Sequence, residues 1–294
     1  MTRLWCFPLI VVSQLLCSLS AAAQCPGINV GYCGFSIGGQ SVQRFYNYKT
    51  ATDTELWGVT NDGLIVGNYN AANHNYAFLL ENGNWMTFSD PNQLNTTTAT
   101  GINNLEHIVG FYDGYKNDVY TSFGFLKVGD TYTTLDYPTG QSTRAFGVND
   151  SDAIVGDYQD SQSGVTHGYV YVNGNWTIVD YPGASQTSIT GINKNGDMVG
   201  FVTVNYEFFS FLYRNGQFID ISYPGSKETD VWGINDSGMV VGYQLDAQQI
   251  AHGFVWNNGQ FTDIKLSKSG NYPTLPHGIN HAGEMVGTVA NNSY

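Results

Sequence analysis

Apolar and polar positions alternate along most of the chain, in runs too short for helices. Residues 189–193 alternate like a strand, Lys194-Asn195-Gly196 supplies a turn, and residues 198–204 predict a second strand. Residues 208–213 predict a third strand, Asn215-Gly216 a hairpin turn and residues 218–223 a fourth, before Pro224-Gly225 breaks the chain. Four short antiparallel strands in about 44 residues describe one blade of a β-propeller.

The pattern recurs. Gly58-Val59, Gly101-Ile102, Gly147-Val148, Gly191-Ile192, Gly233-Ile234 and Gly278-Ile279 open six units spaced 43, 46, 44, 42 and 45 residues apart. Nine residues after each opening glycine stands another, preceded by Val: Gly67, Gly110, Gly156, Gly200, Gly242 and Gly287. Asn follows the opening pair in five units, and Thr60 replaces it in the first. The sixth unit ends before its third and fourth strands. Residues 34–37 and 41–48 resemble those missing strands, so the N-terminus is expected to complete the last blade. The prediction is an all-β, six-bladed β-propeller over residues 24–294, closed by strands from both ends.

Comparing the units locates the variable parts. The turn between strands one and two is constant, and that between strands three and four varies by at most one residue. From the second glycine to the strand-three aromatic the distances are 11, 15, 13, 11 and 12 residues, and the links between blades vary too. In a meander the two variable links share one rim, which is where binding is expected.

The residues before the opening glycines, Trp57, Thr100, Phe146, Thr190, Trp232 and His277, are expected to face the central channel near that rim. Two positions earlier stand Glu55, Thr98, Arg144, Ser188, Asp230 and Leu275, with apolar residues between. Trp57, Glu55, Phe146, Arg144, Trp232, Asp230 and His277 form the candidate ligand set. Flat rings give contact area, and carboxylates accept hydroxyl hydrogen bonds. The alternative is that the rings plug the channel.

Composition narrows the setting. Gly supplies 35 residues and aromatic residues 14%, chemistry for turns and strands. Lys+Arg 11 against Asp+Glu 24 gives a net charge of −13, which argues against nucleic acid and anionic membranes as partners. Arg3, an apolar run over residues 4–19 and Ala21-Ala22-Ala23 predict a signal peptide over residues 1–23. The mature protein is then expected to be secreted or periplasmic, with no membrane span, and to be a monomer. Cys25 and Cys33 would remain in an oxidising compartment, where a small-loop disulfide is expected.

Catalytic signatures are sparse. Gly34-Phe35-Ser36-Ile37-Gly38 matches the serine-hydrolase elbow, but no helix follows it. A glycosidase needs two carboxylates roughly 5–9 Å apart, and Glu55 and Asp230 occupy equivalent positions two blades apart. His167 and His252 recur at the start of strand three, which suggests a structural hydrogen bond. No metal or cofactor motif occurs.

The unit seen in Gly233 to Gly242, His252-Gly253-Phe254 and Trp176 to Gly183 resembles the HAF-type extracellular repeat of exported bacterial proteins. Units one and two depart from it, with Asn75-Tyr76 and Ser122-Phe123 at or beside the histidine position. The resemblance implies export and repeated β-structure, and carries over no catalytic residues. The expected function is non-enzymatic binding of an extracellular glycan or protein at the variable rim. The rival is a carbohydrate-active hydrolase or lyase using the channel-mouth carboxylates, and a third reading is a cell-envelope scaffold.

Overall fold

The computed structural model describes residues 31–37, 43–48, 51–266 and 273–291. Among them every named element is a β-strand. No helix among the described residues is long and apolar enough to cross a membrane. Residues 1–23 and Cys25 lie outside the described set, so the expected signal peptide and the Cys25–Cys33 disulfide lie outside it too.

Strands β1 (Gly31–Ile37) and β2 (Gln43–Tyr46) precede the first complete meander. That meander comprises β3 (Asp53–Val59), β4 (Ile65–Ala71), β5 (His74–Glu81) and β6 (Asn84–Phe88). The second comprises β7 (Thr97–Ile102), β8 (Ile108–Lys116), β9 (Val119–Val128) and β10 (Thr131–Leu135). The third comprises β11 (Gly140–Val148), β12 (Ile154–Asp160), β13 (Thr166–Val172) and β14 (Asn175–Ile178). The fourth comprises β15 (Gln186–Ile192), β16 (Met198–Val204), β17 (Glu207–Arg214) and β18 (Gln217–Ile221). The fifth comprises β19 (Glu228–Ile234), β20 (Val240–Leu245), β21 (Ala251–Asn257) and β22 (Gln260–Asp263). Strands β23 (Thr274–Ile279) and β24 (Met285–Asn291) end the chain.

The architecture is an all-β propeller. Its sheets depart from the expected six separate blades: four sheets have four strands each, and the third and fourth meanders join into one of eight. The cause is local. Thr166 at the start of β13 bridges in parallel to Gln186 at the start of β15, which joins the two meanders, while the equivalent bridge from Asn75 to Thr96 falls one residue short of β7. The terminal strands share one sheet, in the order β2-β1-β24-β23. Strand β1 pairs with β24 along its whole length, from Gly31 opposite Asn291 to Ile37 opposite Met285.

The two repeated glycines solve packing problems. A Cβ on Gly110 or Gly156 would stand 1.9 Å from the carbonyl oxygen of Thr98 or Arg144 on the neighbouring strand. The space so kept holds the strand-three ring: Phe35, Phe78, Phe125, Tyr169, Phe211 and Phe254 are all fully buried. The opening glycines bring adjacent units together, since a Cβ on Gly278 would sit 2.5 Å from the Trp57 carbonyl oxygen. The cores are correspondingly shared. Leu64 and Val66 pack with Ala99, Ile102 and Phe125 of the next unit.

The innermost strands are less regular than simple alternation. Each pairing steps over one residue: Trp57, Thr100, Phe146, Thr190, Trp232 and His277 are all bulged out of register. A bulge adds twist and re-aims a side chain, and here it falls on the residues that reach furthest into the channel.

Candidate functional site

Two tiers of side chains line the channel from the variable rim inward. The first is built from cross-strand pairs: Glu55 opposite Asn68, Arg144 opposite Asp157, Asp230 opposite Tyr243. The carboxylates are engaged. Asn68 Nδ2 donates to Glu55 Oε2 at 3.1 Å while its Oδ1 accepts from Trp57 Nε1 at 2.8 Å. Arg144 grips Asp157 through Nε at 3.0 Å and an amino group at 2.7 Å, and Ser188 Oγ donates to the same carboxylate at 2.7 Å. Burial of the Arg144 head opposes its charge, but the Asp157 carboxylate overrides this and raises its pKa. Burial raises Glu55, and raises Asp230 to about 6 despite the Tyr243 hydroxyl, with Glu228 adding repulsion.

The bulged residues form the second tier, in which four rings meet two threonines. The Trp57 ring stacks on His277 at 3.9 Å and meets Trp232 edge-on at 5.1 Å, and Phe146 meets Trp232 at 6.3 Å. The polar members between them tie one unit to the next. Thr100 Oγ1 donates to Ala145 O at 2.9 Å, Thr190 Oγ1 to Val231 O at 3.0 Å, and His277 Nδ1 contacts Leu56 O at 3.0 Å. Burial lowers the His277 pKa to about 4, so the ring is neutral near pH 7. All seven candidate residues thus sit in or beside one packed plug, and Arg144 covers the Phe146 ring at 5.2 Å.

The open concavity lies at the opposite rim, formed by the constant turns. It is a small open funnel with a cavity volume of about 80 Å³, lined by three residues from each of the six units. Its floor is Val59, Ile102, Val148, Ile192, Ile234 and Ile279. Above lies a tier of Thr60, Asn103, Asn149, Asn193, Asn235 and Asn280, and at the mouth Asn61, Asn104, Asp150, Lys194, Asp236 and His281.

The asparagine tier is a directional clasp. Asn103 Nδ2 donates to Asn149 O, Asn149 to Asn193 O, Asn193 to Asn235 O, Asn235 to Asn280 O, and Asn280 to Thr60 O, at 3.0 to 3.1 Å. Each Oδ1 meanwhile accepts from its own turn, as Asn193 does from Asn195 N at 2.9 Å and Asp197 N at 3.0 Å. Thr60 breaks the circuit: its hydroxyl donates to Asp62 Oδ1 at 2.6 Å and reaches no neighbouring unit. The repeated Gly-Ile-Asn was visible in the sequence, but an asparagine in a turn reads first as local chemistry.

The variable rim carries the largest exposed rings. Strands β8 and β9 extend past their neighbours to a tip where Tyr115 and Tyr120 are 64% and 57% exposed, edge to face at 5.9 Å. The Tyr120 hydroxyl donates to Asp113. Lys116 Nζ reaches both Asp136 oxygens, at 2.7 and 2.9 Å, and Gly140 O at 2.8 Å. The hairpin is therefore fastened to the next link. His167 pairs with Asp180 at 2.6 Å and His252 with Asp246 at 2.8 Å, so both recurrent histidines make structural contacts. No group of three or more His, Cys, Asp or Glu among the described residues is placed to hold a metal ion.

No family model matches the chain, and no curated protein matches it. Among solved structures it is similar to TolB from Acinetobacter baumannii, with a TM-score of 0.52 at 10% identity over 89% of this chain and 64% of that one. It is also similar to the β-propeller domain of the Trilobed protease from Pyrococcus furiosus, with a TM-score of 0.50 at 13% identity over 77% of this chain and 73% of that one. Virginiamycin B lyase from Staphylococcus aureus aligns at a TM-score of 0.47 and 11% identity over 85% of each chain. The first two likenesses carry the fold and nothing finer: the chain folds as a β-propeller.

Proposed function

We propose that this chain is an exported, non-enzymatic interaction propeller that binds an extracellular glycan or protein at its variable rim. The eight-stranded sheet counts as two blades, and β1 with β24 closes a six-bladed ring built of HAF-type repeats over residues 24–294, behind a signal peptide at residues 1–23. The observation that carries the reading is the fastened β8–β9 hairpin, which holds two exposed tyrosine rings in fixed relation. Rigid amphipathic rings give contact area at low entropic cost, the property that favours Tyr at recognition surfaces. Trp57, Phe146, Trp232 and His277 serve as channel filling beneath that surface.

The rival hydrolase or lyase draws its support from the raised pKa values of Glu55 and Asp230. Asn68 holds Glu55 and the Tyr243 hydroxyl faces Asp230, so neither carboxylate stands free. The test is binding to arrays of glycans and of exported proteins, comparing the wild type with a Tyr115→Ala, Tyr120→Ala double variant. The expected result is a ligand whose affinity falls by at least about tenfold in the folded variant. Undiminished binding overturns the assignment to the hairpin. Product release from polysaccharides, abolished by Glu55→Gln or Asp230→Asn, would replace this reading with the enzymatic one.

A further inference from the structure

The link from β6 to β7 departs from the other links at two matched positions. In five links one backbone amide donates to a threonine near the start of the next inner strand. Tyr48 N reaches Thr54 Oγ1, Asp90 N Thr97, Tyr137 N Thr143, Tyr181 N Thr187 and Tyr223 N Thr229, at 2.9 to 3.1 Å. Three residues on, the amide of Ala51, Gln93, Gly140, Ala184 or Ser226 closes a turn onto the carbonyl of that same residue, at 2.9 to 3.1 Å. Four turns thus pair a tyrosine with a small residue, and the remaining one pairs Asp90 with Gln93. That link is also longer: its amide and threonine are 7 residues apart, against 6 in the others.

The exchange buries two acceptors. Tyr48 stacks on Tyr69 at 3.9 Å and Tyr137 on Tyr158 at 3.7 Å, whereas the second unit sets a carboxylate near Tyr112. Asp90 is 1% exposed. Its Oδ1 accepts from Asn92 N at 2.9 Å, but its Oδ2 and Gln93 Oε1, both shut off from solvent, have no hydrogen-bond partner among the described residues. Burial raises the Asp90 pKa against the opposing Asn92 donors. Lys127, whose ammonium lies over the Phe88 and Tyr132 rings, donates to Gly129 O. Asp113 shows the contrast. It is 4% exposed, yet one oxygen accepts from Asn95 N at 3.0 Å and Thr96 N at 2.7 Å and the other from the Tyr120 hydroxyl.

The Asp90–Gln93 turn therefore offers a carboxylate oxygen and an amide oxygen with no donor, on residues whose Cα atoms lie within about 7 Å. A buried charge without a donor calls for a cation, and carboxylate and carbonyl oxygens select a hard one. Ca2+ accepts irregular oxygen shells, where Mg2+ demands an octahedron. We propose that Asp90 Oδ2 and Gln93 Oε1 bind Ca2+ in the β6–β7 link, with water completing the shell on the exposed side of the turn, where Pro91 and Asn92 lie. The proposal is independent of what the β8–β9 hairpin binds.

The experiment is calorimetric melting and a 15N titration of the chelator-treated full chain with CaCl2, with MgCl2 and NaCl at matched ionic strength. The expected midpoint is about 0.1–1 mM, with amide shifts centred on residues 90–94. Melting should rise by about 3 °C at ten times the midpoint. Grafting the turn of the other units, Asp90→Tyr with Gln93→Ala, should abolish both responses in a protein that still melts cooperatively. Gln93→Leu, which keeps the bulk and removes the oxygen, should weaken binding at least about tenfold, and it decides the matter if the graft does not fold. An equal response to Mg2+ or Na+, shifts centred elsewhere, an unaltered response in a folded variant, or no response to Ca2+ overturns the proposal. The last outcome would leave a proton shared by Asp90 and Gln93 as the account of the two oxygens.

Discussion

At the residue scale, Thr60 marks the one seam where the asparagine clasp is missing. Its hydroxyl already accepts from Leu64 N at 3.0 Å, the role that Oδ1 plays in the other units. Thr60→Asn would keep that bond and add a donor aimed at Asn103 O. A gain of about 0.5–1.5 kcal/mol is expected in denaturant unfolding. A second prediction concerns two buried groups with opposite proton demands. Asp230, raised to about 6, holds its proton in the folded state through a window where the unfolded chain has lost it. Its contribution is full below pH ~4 and fades as pH rises through ~6. His277, lowered to about 4, is neutral where the unfolded chain is protonated. Its contribution is present above pH ~6.5 and fades as pH falls toward ~4. The two slopes nearly cancel in the wild type. Relative to wild type, Asp230→Asn should gain stability as pH rises from 4 to 6 by about 3 kcal/mol, and His277→Asn should lose a similar amount. Parallel curves for wild type and either variant would refute the assignment.

At the element scale, the strands and turns were legible because each signal is local. Asn215-Gly216 and Asn258-Gly259 close hairpins where the sequence places them, with positive φ at all four residues. The reading of residues 34–37 and 41–48 as borrowed strands anticipated β1 and β2. The bulges were not legible. Leu56, Trp57 and Gly58 read as plain alternation, and the extra residue emerges only when β3 is laid against β4. The joining of β13 to β15 was hidden for a similar reason, since it rests on a single parallel bridge between meanders, Thr166 to Gln186. The constant turns were legible as constant in length. Invariant length kept six identical backbones in place, while the residues exposed on them, from Asn61 to Lys194, differ from unit to unit.

At the scale of the whole molecule, the ends decide integrity. Strand β1 covers the outer side of β24, and without it β24 would become an exposed edge able to pair with another chain. A chain lacking residues 25–48 should aggregate on refolding or unfold at markedly lower temperature than the full chain, as read by light scattering and calorimetry. Unchanged melting would show that the N-terminal strands are dispensable.

The second tier of the channel has a further consequence. Trp232, His277 and Trp57 stand in consecutive units, and their rings pack on one another where the last unit meets the first. The asparagine clasp needs only a neighbour and would tolerate any copy number. The ring stack would not: a unit inserted between His277 and Trp57 would part rings that now lie 3.9 Å apart, so the two tiers constrain copy number unequally.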